Sequence, residues 1–133
     1  MKWGEWMERK ALLVEDNENN GYLLTLLLQT AGLAVVIARD GRSALEIARR
    51  DHFHVILLDI QMPEMDGYEV AAHLKRDAQL APIPIIGVSS FAMPGDREKA
   101  IRMGFAGYIE KPVDPERFAE TVLDILERAG GTL

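Results

Sequence analysis

The chain contains no cysteine among its 133 residues, so disulfide bonds, thiol catalysis and cysteine-based zinc sites are excluded. It also lacks an apolar run close to the roughly 20 residues that a membrane-spanning helix needs. Its first ten residues, MKWGEWMERK, carry charges among the apolar positions and so lack the hydrophobic core of a signal peptide. These absences favour a cytoplasmic protein that does not engage a membrane.

An excess of positive charge is also missing. The formal net charge is −6 and the isoelectric point is near 5.0, which argues against broad electrostatic binding to nucleic acid or to anionic membranes. The chain does have the composition of a folded domain, with 48% hydrophobic and 27% charged residues. Its length suits one domain with a substantial core.

Short apolar runs alternate with stretches of helical periodicity along the chain. Buried strands are predicted at residues 11–16, 33–38, 54–59, 84–90 and 107–111. Helices are predicted between them: a leucine-rich stripe that stops at Gly32, a second helix after residues 40–41, and helices over 68–76 and 96–104. Asp114 and Pro115 have the form of an N-cap followed by proline at the first position of a last helix.

This alternation of strands and helices predicts an α/β fold with a parallel sheet covered on both faces. Continuous apolar runs, rather than strict alternation, are typical of strands that are buried on both sides. Right-handed crossovers reduce the topology to a doubly wound α/β fold. In such folds ligands bind beyond the carboxyl ends of the strands.

Polar side chains lie at the ends of four of the predicted strands, at that same edge: Glu15, Asp16, Asp59, Ser89 and Lys111. Three carboxylates brought together repel one another and need positive charge nearby. Lys111 supplies one charge, and a hard divalent cation such as Mg²⁺ supplies two and prefers oxygen ligands. The ammonium of Lys111 and the hydroxyl of Ser89 are suited to bind the oxygens of a phosphoryl group, and a carboxylate can act as a nucleophile toward phosphorus.

Four segments carry a resemblance to a known family: LLVEDNENN, LLDIQMPEMDG, IIGVSS and GYIEKPV. In their order and spacing the chain resembles the receiver domain of two-component response regulators. The resemblance implies a flavodoxin-like sheet with strand order 2-1-3-4-5. It also implies a receiver domain at residues 9–129, with an N-terminal extension at 1–8 and a short tail at 130–133.

The resemblance assigns the chemistry to Asp59, which would accept a phosphoryl group from a phosphohistidine. The donor would be a sensor histidine kinase or a histidine phosphotransfer protein. Asp16 and Asp59 would bind Mg²⁺ directly, Glu15 would act mostly through water, and the backbone carbonyl of Gln61 would be a further ligand. Phosphoryl transfer of this kind depends mainly on positioning and on neutralising charge.

The resemblance also implies a switch. Ser89 and Lys111 would each bind a phosphoryl oxygen, and the ring of Tyr108 would follow Ser89, although Tyr108 also fits a half-buried aromatic of the edge strand. The peptide bond between Lys111 and Pro112 is typically cis in this family. Phosphorylation would change the surface of the fourth helix, fifth strand and fifth helix, which would dock on a downstream protein. The chain would be a monomer or a weak dimer.

Three residues depart from the usual pattern or bear on the lifetime of the phosphorylated state. Ser90 and Phe91 follow Ser89 where the family often has a small residue and then a polar one. Gln61 lies two residues after Asp59, and Gln61 and Phe91 together are expected to flank the path of an attacking water. The lifetime of the acyl phosphate therefore stays open.

The leading interpretation is a stand-alone signalling module that catalyses only its own phosphorylation and dephosphorylation. One alternative is the receiver domain of a hybrid histidine kinase. A second, of another class, is an aspartate-nucleophile phosphatase, although Gln61 stands where such enzymes commonly place a second acid. A third is a degenerate receiver that takes no phosphoryl group. The cognate kinase, the target and the role of Trp3 and Trp6 stay open.

Overall fold

Strands and helices alternate in the computed structural model, which describes residues 9–90 and 92–130. Within these residues the strands are β1 (Arg9–Val14), β2 (Leu33–Ala38), β3 (Val55–Asp59), β4 (Ile85–Ser89) and β5 (Gly107–Glu110). The helices are α1 (Glu18–Thr30), α2 (Gly41–Arg50), α3 (Gly67–Arg76), α4 (Asp96–Arg102) and α5 (Phe118–Arg128). None of these helices is long and apolar enough to cross a membrane. Trp3, Trp6 and Phe91, singled out in the sequence, lie outside the described residues.

The five strands form one parallel sheet in the order β2-β1-β3-β4-β5, which confirms the predicted topology. Every residue of β3 and β4 is buried, as the continuous apolar runs predicted. Because successive side chains of a strand point to opposite faces, the sheet supports two apolar layers. Leu12, Ile56 and Leu58 face α2 and α3, whereas Ala11, Leu13 and Leu57 face α1 and α5.

Side-chain caps start three helices soon after the strands that precede them. Asn17 accepts a hydrogen bond from the backbone of Asn20, and Asp40 accepts one from the backbone of Ser43. Asp66 forms a reciprocal capping box with Glu69 at the start of α3. These caps satisfy N–H groups that a helix leaves unpaired, and they keep the loops at the carboxyl edge short.

The start of the last helix differs from the sequence prediction. The helix α5 begins at Phe118 rather than at Pro115, and Arg117 precedes it without a side-chain cap. Asp114 instead closes a turn: its side chain accepts from the N–H of Glu116 at 3.0 Å, and its carbonyl accepts from the N–H of Phe118 at 2.9 Å. The Asp-Pro pair therefore forms a turn that leads into the helix.

Candidate functional site

Three carboxylates meet at the carboxyl edge of the sheet, where β1 and β3 end side by side. Val14 of β1 pairs with Leu58 of β3, so the residues that follow, Glu15 and Asp59, become neighbours. One oxygen from each of Glu15, Asp16 and Asp59 lies within 4.8 Å of the others. Glu15 and Asp59 are almost fully buried, at 1% and 4% exposure, whereas Asp16 is exposed.

Lys111 brings a positive charge to this cluster. Its ammonium donates a hydrogen bond to Glu15 Oε1 at 2.7 Å and lies 3.5 Å from Asp59 Oδ1. The backbone N–H of Lys111 donates to the carbonyl of Ser89 at 2.7 Å, which fixes the residue just beyond the end of β5. The bond between Lys111 and Pro112 is cis, as the resemblance implied.

The pKa of Asp59 is raised to about 7, mainly by burial and in addition by hydrogen bonding with Glu15 and charge repulsion from it. The ammonium of Lys111 acts in the opposite direction but does not cancel these effects. One lysine is therefore too little positive charge for the carboxylates gathered here. An all-oxygen set of this kind fits a hard divalent cation, and Mg²⁺ prefers such ligands.

Ser89 is fully buried at the end of β4, and its hydroxyl accepts a hydrogen bond from Gln61 Nε2 at 2.7 Å. The Gln61 side chain also accepts a hydrogen bond from the N–H of Ser90 at 2.9 Å. The family resemblance implied that the backbone carbonyl of Gln61 binds the metal ion, and Gln61 was also expected to flank the path of an attacking water. The contact between its side chain and Ser89 was not predicted. The polar residue in the loop after β3 was a signal that a side-chain contact could form, but the sequence did not identify its partner on β4.

Tyr108 lies on β5 with 4% exposure, so it is buried rather than half-buried. Its hydroxyl has no hydrogen-bond partner among the described residues, and the guanidinium of Arg97 lies 5.7 Å from the centre of its ring. Tyr68 on α3, which no sequence pattern singled out, also has a buried hydroxyl, and that hydroxyl has no hydrogen-bond partner within residues 9–90 and 92–130. The ammonium of Lys99 lies 4.1 Å from the centre of the Tyr68 ring.

The family model of the response regulator receiver domain matches residues 11–123. The chain belongs to the response regulator receiver family. As a receiver domain it works in two-component signalling, and it is a signalling protein rather than a conventional enzyme.

Individual relatives agree with this assignment. The polar-differentiation response regulator DivK of Brucella ovis is 42% identical over 120 residues, which are 90% of this chain and 98% of that protein. Among solved structures, the chemotaxis protein CheY4 of Vibrio cholerae is 30% identical with a TM-score of 0.83, over 90% of this chain and 99% of that chain. The signal receiver domain of a histidine kinase from Syntrophus aciditrophicus is 29% identical with a TM-score of 0.80, over 94% and 95% of the two chains.

Membership in this family indicates the general chemistry of the site. Receiver domains take phosphoryl groups from histidine kinases or phosphotransfer proteins, and they generally bind Mg²⁺ through acidic residues. The cluster of Glu15, Asp16 and Asp59 is an acidic group suited to such an ion.

Proposed function

We propose that Asp59 is the phosphoacceptor of a phosphorylation-controlled signalling module. The observation that carries the proposal is the position of its carboxylate. It is 4% exposed, lies within 4.8 Å of oxygens from Glu15 and Asp16, and lies 3.5 Å from the ammonium of Lys111. A carboxylate that stands among metal-binding oxygens and beside a cation is placed for phosphoryl transfer.

In this proposal, Asp16 and Asp59 would hold Mg²⁺ directly, Glu15 would act mostly through water, and the backbone carbonyl of Gln61 would be a further ligand. When bound, the ion neutralises charge on the phosphoryl oxygens and on the carboxylates. An oxygen of Asp59 attacks the phosphorus of a phosphohistidine as the phosphorus–nitrogen bond breaks. The electron pair of that bond returns to the imidazole, and an acyl phosphate forms on Asp59.

Two other side chains receive the new phosphoryl group. Lys111, already held by its hydrogen bond to Glu15, supplies an ammonium close to Asp59 for one oxygen. The hydroxyl of Ser89 donates a hydrogen bond to another oxygen, and Tyr108 adjusts to the movement of Ser89. The same site returns the phosphoryl group slowly to water. The protein then catalyses its own phosphorylation and its own dephosphorylation, and no other reaction.

The surface formed by α4, β5 and α5 is the proposed output. An open groove of about 530 Å³ runs along it and is lined by residues that include Arg97, Tyr108 and Ile125. Rearrangement of Tyr108 would alter this groove, and a downstream protein would read the change by docking there. The phosphoryl donor would be a sensor histidine kinase or a phosphotransfer protein, with no role for nucleic acid and with a monomer or weak dimer as the working form.

The proposed receiver unit spans residues 9–129, flanked by an extension at 1–8 and a tail at 130–133. The described elements support these bounds, because β1 starts at Arg9 and α5 ends at Arg128. A cytoplasmic location, which the sequence favours, stays a prediction.

Intact-protein mass spectrometry after incubation with acetyl phosphate and Mg²⁺ tests the phosphoacceptor. We expect one phosphoryl adduct on the wild-type protein, none on Asp59→Asn, and none when EDTA removes the metal. The matched control is Asp124→Asn, an exposed aspartate on α5, which should retain the adduct. An adduct that survives Asp59→Asn would refute the assignment. No adduct on the wild-type protein, together with no binding of beryllofluoride, would indicate a degenerate receiver.

A further inference from the structure

The side chain of Gln61 joins the loop after β3 to the end of β4. Its amide nitrogen donates to Ser89 Oγ at 2.7 Å, and its amide oxygen accepts from the N–H of Ser90 at 2.9 Å. The backbone N–H of Gln61 donates to Asp59 Oδ1 at 3.3 Å. Gln61 therefore contacts both the proposed phosphoacceptor and the proposed phosphoryl-binding serine, through different atoms.

The backbone of Ser90 fixes the direction in which the Gln61 amide points. A backbone N–H can only donate, so the side-chain oxygen of Gln61 must face Ser90 and the amide nitrogen must face Ser89. Ser89 is fully buried, and its hydroxyl accepts from Gln61 across a short distance. A buried hydroxyl held by an amide that is itself anchored does not move without breaking a hydrogen bond.

We propose that Gln61 is a positioning residue that holds Ser89 in its unphosphorylated arrangement, so that binding of a phosphoryl group at Asp59 competes with the Gln61–Ser89 hydrogen bond. This inference rests on the proposed function, because it takes Ser89 as the hydroxyl that bonds a phosphoryl oxygen. When Ser89 moves toward Asp59, the amide of Gln61 stays behind on Ser90. The contact, which we call the Gln61 latch, therefore favours the inactive state.

The size of the effect follows from the kind of bond. A neutral hydrogen bond contributes a net amount that corresponds to about a two- to tenfold change in an equilibrium constant. Removal of the latch should shift the equilibrium toward the active state by that factor. A phosphoryl analogue should consequently bind more tightly.

The test measures the dissociation constant for beryllofluoride in the presence of Mg²⁺ by NMR titration, which involves no hydrolysis and therefore does not report on water access. Gln61→Met keeps the side-chain length and the backbone carbonyl but makes neither amide hydrogen bond. We expect it to lower the dissociation constant about two- to tenfold. Gln29→Met, at an exposed position on α1, is the matched control and should leave the constant unchanged.

A double-mutant cycle separates the latch from a general effect on the site. In a Ser89→Ala background, Gln61→Met should leave the dissociation constant unchanged, because the latch has no hydroxyl to hold. Tightening that persists without Ser89 would overturn the proposal, as would unchanged or weaker binding by Gln61→Met alone. If Gln61→Met does not fold, Gln61→Leu takes its place in the cycle.

The side-chain NH₂ resonances of Gln61 in the wild-type protein give a second readout. Saturation with beryllofluoride should move them toward the position of a free amide, and resonances that do not move would overturn the latch. Wild-type protein that binds beryllofluoride normally while Gln61→Met has no effect would leave the proposed function standing and refute only the latch. Wild-type protein that neither binds beryllofluoride nor takes a phosphoryl adduct would refute both.

Discussion

Lys111 donates a hydrogen bond at 2.7 Å to Glu15, a residue that lies 96 positions earlier in the chain. The same ammonium lies 3.5 Å from Asp59, so its shortest contact is with the acid that the proposal places in a supporting role. Glu15 therefore positions the lysine beside the proposed phosphoacceptor Asp59, while it also contributes negative charge to the proposed metal site. Loss of the lysine should affect both stability and cation binding.

Lys111→Met should lower the free energy of unfolding of the metal-free protein by about 2–4 kcal/mol, because it leaves buried carboxylates without their ammonium. It should also tighten Mg²⁺ binding, since the cation no longer competes with a fixed positive charge. Urea denaturation and Mg²⁺ titration check the two effects. Lys10→Met is the matched control: its partner Asp51 is 41% exposed, so the loss of stability should be clearly smaller there. Equal losses in the two variants would contradict the prediction.

Asp59→Asn should stabilise the metal-free protein, and the gain should grow with pH. The pKa of Asp59 is raised from 3.8 to about 7 in the folded protein, so the folded state holds a proton that the unfolded state releases. The stability of the wild-type protein consequently falls as pH rises from about 4 to about 7, and the asparagine variant avoids this loss. We expect a gain of about 2–4 kcal/mol at pH 8, measured by urea denaturation with EDTA present.

The control for this variant is Asp124→Asn, at an exposed position on α5, which should leave the stability at pH 8 nearly unchanged. Added Mg²⁺ at pH 8 should stabilise the wild-type protein more than Asp59→Asn, because ligand binding to the folded state adds to its stability. A gain at pH 8 that is no larger than the gain at pH 4 would show that burial of the Asp59 charge carries no cost.

Gly67→Ala should destabilise the protein by about 1–3 kcal/mol, because a methyl group there has no space. Its carbon would lie 2.7 Å from the carbonyl oxygen of Asp59 and 2.9 Å from Ile60 Cα, which are backbone atoms that cannot rotate away. The end of β3 would have to shift, so binding of Mg²⁺ should weaken as well. Thermal denaturation and Mg²⁺ titration measure these effects.

Gly21→Ala provides the matched comparison for Gly67→Ala. The nearest atom to its new methyl group is Glu15 Cγ at 3.8 Å, an ordinary contact, and Gly21 lies within α1. Alanine in a helix loses less backbone entropy on folding than glycine, so this variant should gain about 0.5–1 kcal/mol. Destabilisation of both variants to the same extent would mean that steric space is not what distinguishes the two positions.

Tyr68→Phe should raise the free energy of unfolding by about 1 kcal/mol, since it removes a buried hydroxyl that has no hydrogen-bond partner among the described residues. The ring and its contact with Lys99 would be retained. Tyr22→Phe, at a position that is 60% exposed, should change stability by less than about 0.5 kcal/mol. A loss of stability in Tyr68→Phe would indicate that the hydroxyl is hydrogen-bonded in solution.

Much of the fold could be predicted because its signals are local. Apolar runs placed all five strands to within two residues, and strand–helix alternation together with the family resemblance gave the strand order that the sheet has. The start of α5 was predicted wrongly because Asp114 and Pro115 suit a helix start and a turn equally well. The choice between them depends on backbone hydrogen bonds that the pair of residues does not specify.

The candidate site also has a part that the sequence predicted and a part that it did not. Placement of Glu15, Asp16, Asp59, Ser89 and Lys111 at one edge follows from the rule that parallel strands end together, and the structure brings these residues together. The contact between Gln61 and Ser89 did not follow from any pattern. It depends on the path of the loop after β3 and on the orientation of one side-chain amide.

The sequence by itself determined the elements, their order and the edge at which the polar residues collect, because periodicity, caps and the chirality of crossovers act within short segments or through general rules. Only the tertiary structure decided that Lys111 pairs most closely with Glu15 and that the side-chain amide of Gln61 donates a hydrogen bond to Ser89. These choices depend on ångström-scale distances between strand ends, which the packing of the whole sheet and its helices sets.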